Sequence, residues 1–259
     1  MLHFSIIILV SLCGNSFAYY VNNSVKAKSY NNRQRFLVIH YTAIDLENSV
    51  KILTGDKVSS HYLVPDGKLA DEGIIYQFVD ENLRAFTQGI SYWRGWTNLN
   101  DNGISIEIVN LGYEHINKTI KWFPFSNSQI QLVTSLSKDI VKRYSLEPKN
   151  VIGHSDCAPG RKQDPGPLFP WEQLYKDGIG AWPEKNDVLH FQQHYSNTNL
   201  KLEEVHLELQ TYGYFINKDA ETTRNAIISF QMHFRPAKYD GIMDTETFAI
   251  LKALNKKYR

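Results

Sequence analysis

Gly153-His154-Ser155-Asp156-Cys157-Ala158-Pro159-Gly160-Arg161-Lys162-Gln163-Asp164-Pro165-Gly166-Pro167 is the stretch around which the chain is organised. It follows Val151-Ile152, a short apolar run that reads as the end of a buried strand. A histidine, two aspartates, a lysine, an arginine and a cysteine are crowded among prolines and glycines. Rigid turn residues of this kind can hold ligating or catalytic side chains at fixed angles on a scaffold. The same composition also occurs in ordinary polar surface turns, so the neighbouring segments have to decide.

Two upstream segments bear on it. Phe36-Leu37-Val38-Ile39 reads as a buried strand ending in His40-Tyr41-Thr42, which sets a histidine at the carboxyl end of a strand, where α/β sites lie. In Ile104-Ser105-Ile106-Glu107-Ile108-Val109-Asn110, the isoleucines share one strand face and Ser105, Glu107 and Val109 the other. A carboxylate among such neighbours is costly to bury unless chemistry uses it, although an edge strand with one exposed face would give the same pattern.

The intervening chain supplies a scaffold. Asp45 to Leu53 has an amphipathic helical pattern, and His61-Tyr62-Leu63-Val64 reads as a strand. Pro65-Asp66-Gly67 reads as a turn and Ile74 to Val79 as a returning strand. His61 is expected as a pocket wall or a structural hydrogen-bonding residue. Residues 84–103 lack periodicity and contain Tyr92-Trp93-Arg94-Gly95-Trp96; Trp93 and Arg94 could grip a sugar or a peptide carboxylate, or serve as packing. Ser126 to Tyr144 is the strongest helix, striped by Ile130, Val133, Leu136 and Ile140. A short helix around Trp171 to Tyr175 closes this domain, which spans residues 36–182.

Beyond it, residues 183–199 are polar and read as a linker, and residues 200–259 show helical patterns only. Three stripes, begun by Leu202, Ala226 and Phe248, predict a small all-α module of three helices. At the other end, Leu2 to Leu12 is nearly continuous apolar sequence, too short to span a bilayer comfortably and followed by Ser16-Phe17-Ala18. It reads as a signal peptide over residues 1–18, with export as the consequence and residues 19–35 as a leader. Lipid attachment at Cys13 is disfavoured by the bulky Leu12 before it. Cleavage after Ala18 would leave Cys157 as the lone cysteine, unable to form an internal disulfide.

The chain has 259 residues and a formal net charge of +1, which gives no broad electrostatic case for nucleic acid. Nor does the sequence point to an obligate protein partner. A catalytic zinc takes three protein ligands and keeps one open position. His40, His154 and Asp164 could supply the three, with Asp156 as the rival carboxylate that spacing alone does not exclude. Glu107 would then take a proton from the attacking water and return it to a leaving amine, and Lys162 would stabilise the oxyanion. A different chemistry would use Cys157 as nucleophile, but no helix N-terminus obviously activates it.

The segments quoted around His40, Glu107 and His154 to Gly166, together with Ser59-Ser60-His61-Tyr62-Leu63-Val64, resemble the ordered blocks of the type-2 zinc N-acetylmuramoyl-L-alanine amidases, in particular the AmiD-like branch. Peptidoglycan recognition proteins share that fold. The resemblance covers about residues 36–180. It implies an α/β fold with a central mixed sheet flanked by helices, zinc on His40, His154 and Asp164, Glu107 as catalytic acid/base, and Lys162 supporting the transition state. It also implies peptidoglycan or muropeptide as substrate, cut between N-acetylmuramic acid and the L-alanine of the stem peptide. The chain departs from many relatives at Gln88, where they carry a histidine. A non-catalytic wall-recognition protein on the same fold is the rival reading. The tail, through Leu209 to Tyr214 and Tyr239 to Thr247, is similar to the three-helix peptidoglycan-binding domain; a helical buttress without wall binding is the alternative there.

Overall fold

A computed structural model describes residues 19–117 and 119–259. The signal-peptide reading of residues 1–18, including Cys13, lies outside the described residues. Residues 19–32 have exposed side chains and neither helix nor strand.

The first strand, β1 (Phe36–Tyr41), is followed by α1 (Leu46–Leu53), which Asp45 caps by accepting from the Asn48 N–H. Then come β2 (Tyr62–Val64), α2 (Gly67–Asp71) and β3 (Tyr76–Gln77). The expected turn at Pro65-Asp66-Gly67 is therefore the entry to a short helix, with Asp66 at its N-cap position. The irregular segment contains a small hairpin, β4 (Tyr92–Trp93) and β5 (Trp96–Thr97), ahead of β6 (Gly103–Ile108). A second hairpin, β7 (Tyr113–Ile116) and β8 (Thr119–Trp122), precedes α3 (Asn127–Tyr144). A capping box between Ser126 and Gln129 starts α3, and Ser145 in the left-handed region ends it. The domain closes with β9 (Val151–Gly153), the single-turn helix α4 (His154–Cys157) and α5 (Trp171–Lys176).

Five strands form one mixed sheet in the order β3-β2-β6-β1-β9. β2, β6, β1 and β9 run parallel, and β3 is the antiparallel edge. Alternation along the strands gives the sheet two apolar faces. Leu37, Ile39, Ile104, Ile106 and Ile108 meet Ile130, Val133 and Ile140 of α3 on one side. Phe36, Val38 and Ile152 face the other way.

What covers that second face differs from the sequence reading. Residues 183–199, expected as linker, contain an 11-residue helix, α6 (Lys185–Tyr195). The remaining helices are α7 (Leu202–Tyr212), α8 (Ala220–Phe234) and α9 (Thr245–Tyr258). α6 buries no residue fully, which hid it in a polar stretch. Val188, Phe191 and Tyr195 nevertheless keep helical spacing, and Val188 and Tyr195 pack on the core. Asp187 and Glu184 hold Lys256 and Lys257 of α9. The helical module and the sheet share a single core, in which Phe36, Val38 and Ile152 join Tyr214, Phe230, Phe234, Phe248 and Leu254. No helix among the described residues is long and apolar enough to cross a membrane.

Candidate active site

Strand register brings the first two groups together. His40 and Glu107 are paired on the adjacent parallel strands β1 and β6, so their side chains leave the same face side by side. β9 lies on the other side of β1, with Gly153 opposite Ile39. The chain then turns into α4, and His154 is its first residue. A Cβ at Gly153 would stand 2.7 Å from Cδ of Pro165, so a glycine is needed for the loop to fold back this tightly. The Ser155 N–H donates to the Asp164 carbonyl at 2.9 Å, which returns Asp164 to the start of the turn.

The outcome is a buried cluster. His40 Nδ1 lies 2.9 Å from His154 Nδ1 and 3.0 Å from Asp164 Oδ2, and His154 Nδ1 lies 2.9 Å from the same oxygen. The tautomer of His154 follows from its other nitrogen, which donates to the Gln88 carbonyl at 3.0 Å and leaves the Nδ1 lone pair aimed into the cluster. Burial, then the charge on His154, pushes His40 down to about 4, so it is neutral at pH 7. Burial pushes the Asp164 carboxyl up, but the charge and hydrogen bonds of His154, with those of His40, outweigh it and hold it well below the usual carboxylate range. A neutral imidazole and an ionised carboxylate are the states in which His40 and Asp164 would ligate a metal. Three lone-pair atoms converging at these distances form a group that could hold a divalent ion. Among the described residues His40 Nε2 has no hydrogen-bond partner.

His154, Asp164, Glu107 and Lys162 line one cavity of 410 Å³, with Tyr41, Thr42, Phe86, Thr87, Tyr113 and Arg161 among the other walls. Glu107 is buried, and among the described residues its Oε2 has no hydrogen-bond partner. Burial, then the negative charge of Asp164, raises its pKa to about 8, against the opposing charge of Lys162. It is a carboxyl poised to accept and return a proton near neutrality. Lys162 is exposed on the cavity wall.

The other sequence candidates lie elsewhere. Asp156, the rival ligand, turns away: its oxygens accept from the Gly153 N–H, the Tyr214 hydroxyl and His233 Nδ1. His61 is buried outside the cavity, its Nε2 donating to the Leu83 carbonyl and its Nδ1 accepting from the Ser105 N–H. Trp93 is 0 % exposed, stacks edge-on against Tyr212 and Tyr214, and donates its indole N–H to the Lys149 carbonyl. Arg94 donates to the Tyr212 carbonyl, and its backbone N–H to that of Gly213. Trp93 and Arg94 thus pack against the helical module instead of reaching the cavity. Cys157 is buried outside the cavity as well, and burial, then the charges of Asp156 and Asp164, pushes its thiol up. A thiol held protonated is a poor nucleophile.

Sequence reasoning missed Arg161 and the backbone of Gln88. Arg161 donates to the carbonyls of Gln88 and Ile90 at 2.5 and 2.6 Å, and the Gln88 carbonyl in turn orients His154. The position of Gln88 beside the site is legible only in three dimensions, because the backbone does the work and the side-chain amide lies buried without partners among the described residues.

The model of the N-acetylmuramoyl-L-alanine amidase family matches residues 30–167, just over half of the chain. Identity to the N-acetylmuramoyl-L-alanine amidase AmiD of Escherichia coli is 44 % over 246 residues, covering 93 % of this chain and 89 % of that protein. The chain belongs to this amidase family. A peptidoglycan binding domain model matches the amidase at residues 200–251, which take in α7, α8 and the first half of α9. The solved complex of E. coli AmiD with anhydro-N-acetylmuramic acid-L-Ala-D-γ-Glu-L-Lys superimposes with a TM-score of 0.86 at 42 % identity, covering 93 % of the amidase and 95 % of that chain. AmpDh3 of Pseudomonas aeruginosa, solved with an anhydromuramic pentapeptide, gives a TM-score of 0.86 at 40 % identity and coverages of 93 % and 99 %. The fold is thus the mixed-sheet amidase fold with a helical C-terminal domain.

Proposed function

We propose that this amidase hydrolyses the amide between N-acetylmuramic acid and L-alanine of the stem peptide in peptidoglycan or muropeptides, and that its metal is zinc. The observation carrying the reading is a single cavity lined by His154, Asp164, Glu107 and Lys162, with His40 grouped with His154 and Asp164 as a third potential metal ligand. Similarity over nearly the whole chain to enzymes solved with muropeptides supports the substrate class. A zinc ion held by the two imidazoles and the carboxylate would polarise the scissile carbonyl and the attacking water. Glu107 accepts the proton of that water as it attacks, and returns it to the amide nitrogen as the C–N bond breaks, so that the peptide leaves as a free amine. Lys162 on the wall faces the negative charge developing on the carbonyl oxygen. A pure recognition protein would not need to retain both the ligand set and this pair.

The helical module is read as a holder for the wall, on the strength of its family match. A wall substrate fits action in the bacterial envelope, and we read the chain as exported there. Mass spectrometry of the products from defined muropeptides tests the activity. The expected products are free stem peptide and the sugar lactyl acid, abolished by a chelator and restored by zinc. Cleavage at another bond, or undiminished cleavage with the metal stripped, would overturn the reading. Glu107→Gln should lower kcat by about 10²-fold or more while KM stays close to that of the parent; wild-type turnover would remove Glu107 from the mechanism.

A further inference from the structure

The turn that presents His154 is gripped from behind by the helical module. Asp156 is 1 % exposed and accepts three hydrogen bonds: from the Gly153 N–H at 2.8 Å, the Tyr214 hydroxyl at 2.6 Å and His233 Nδ1 at 2.7 Å. Tyr214 immediately follows α7 and its Gly213 cap, His233 is on α8, and both are buried. The His233 ring lies flat between Trp171 and Phe234, with centroids 3.9 Å from each and interplanar angles of 15° and 12°. Further along the turn, any side chain on Gly160 would collide with Asn225 of α8. One helix therefore braces the segment between His154 and Asp164 at two points.

We propose that Asp156, Tyr214 and His233 are positioning residues of the metal centre, through which the helical module fixes the angle at which His154 leaves the sheet. The inference rests on the zinc reading above. Asp156 does not touch the ligand cluster. It acts through the Gly153 N–H, which it holds at the junction of β9 and α4, one residue before His154. A carboxylate with three buried donors cannot rotate without leaving at least one of them unpaired, so the junction has one low-energy arrangement. Groups that orient metal ligands from behind tune affinity for the ion as well as turnover.

The test uses the full chain, stripped of metal and titrated with Zn²⁺ in competition with a chromophoric chelator, alongside kcat and KM on a muropeptide. Tyr214→Phe and His233→Phe keep the rings and delete the donors, whereas His233→Asn keeps a donor near the place of Nδ1. Each Phe variant should weaken zinc about tenfold or more, lower kcat and leave KM unchanged, and His233→Asn should recover most of the affinity. Phe variants with native near-ultraviolet dichroism that bind zinc as tightly as the parent would overturn the proposal. Equal losses in His233→Phe and His233→Asn would do so too, because the hydrogen bond would then not be the cause. Should His233→Phe fail to fold, Tyr214→Phe, which removes a single oxygen, decides. A parent chain that takes up no zinc overturns the metal reading itself and this proposal with it.

Discussion

At the residue scale, Glu107 is where burial and chemistry conflict most. Its pKa of about 8 in the metal-free protein lies far above the value near 4.5 of an exposed glutamate. Because the folded value is the raised one, the folded state binds the extra proton between those limits. The contribution of Glu107 to stability is therefore fully present below pH 4.5 and lost as the pH rises through 8. Metal-free Glu107→Gln should accordingly match the parent at the acidic end. At pH 9 it should be the more stable of the two by a few kcal/mol, at about 1.4 kcal/mol per pKa unit. Urea melts across pH 5 to 9 measure this, and a difference independent of pH would show that Glu107 does not titrate in that window. His40, Glu107 and His154 were legible in the sequence because each stands at or near the end of an apolar strand run. The choice between Asp156 and Asp164 was not legible. It is made by Tyr214 and His233, which lie 58 and 77 residues further along and claim the first aspartate. Trp93 and Arg94 misled for the same reason, since an aromatic and an arginine in an irregular loop look alike whether they meet a substrate or a second domain.

At the scale of elements, the turn from β9 into α4 leaves no room for a side chain at Gly153. Gly153→Ala sets a methyl group against Pro165. Overpacking of this kind costs about 1–3 kcal/mol, and here it would be relieved by moving the segment that bears both His154 and Asp164. The expected result is a lower midpoint in urea together with weaker metal retention. A variant that loses stability yet holds zinc like the parent would separate the two effects. β1, β6 and α3 were readable in advance, β1 as a continuous apolar run and β6 and α3 because their apolar residues recur at regular spacing. The β7–β8 hairpin had no such signal: the residues of its two strands are exposed or half-buried, and its Trp122 gains its place by lying over Gly166 and donating to the Tyr239 hydroxyl.

At the scale of the whole molecule, the sheet and the helical module cannot be treated as separable parts. Phe36, Val38 and Ile152 on one side and Phe230, Phe234 and Phe248 on the other belong to the same buried cluster. Residues 33–259 should therefore unfold in one cooperative step, with calorimetric and van't Hoff enthalpies in agreement. Two resolved transitions, or a well-behaved fragment ending at residue 182, would contradict this. A change of pattern near residue 200 was visible in the sequence. The fusion was not, because an apolar helix stripe does not say which surface it will cover.

That fusion limits the enzyme in a specific way. A hook on a tether lets a cutter roam over whatever lies within the tether's length. Here the hook and the blade are a single casting. If the helices grip the wall, the cut falls at a set offset from the grip, and every new cut requires the enzyme to let go.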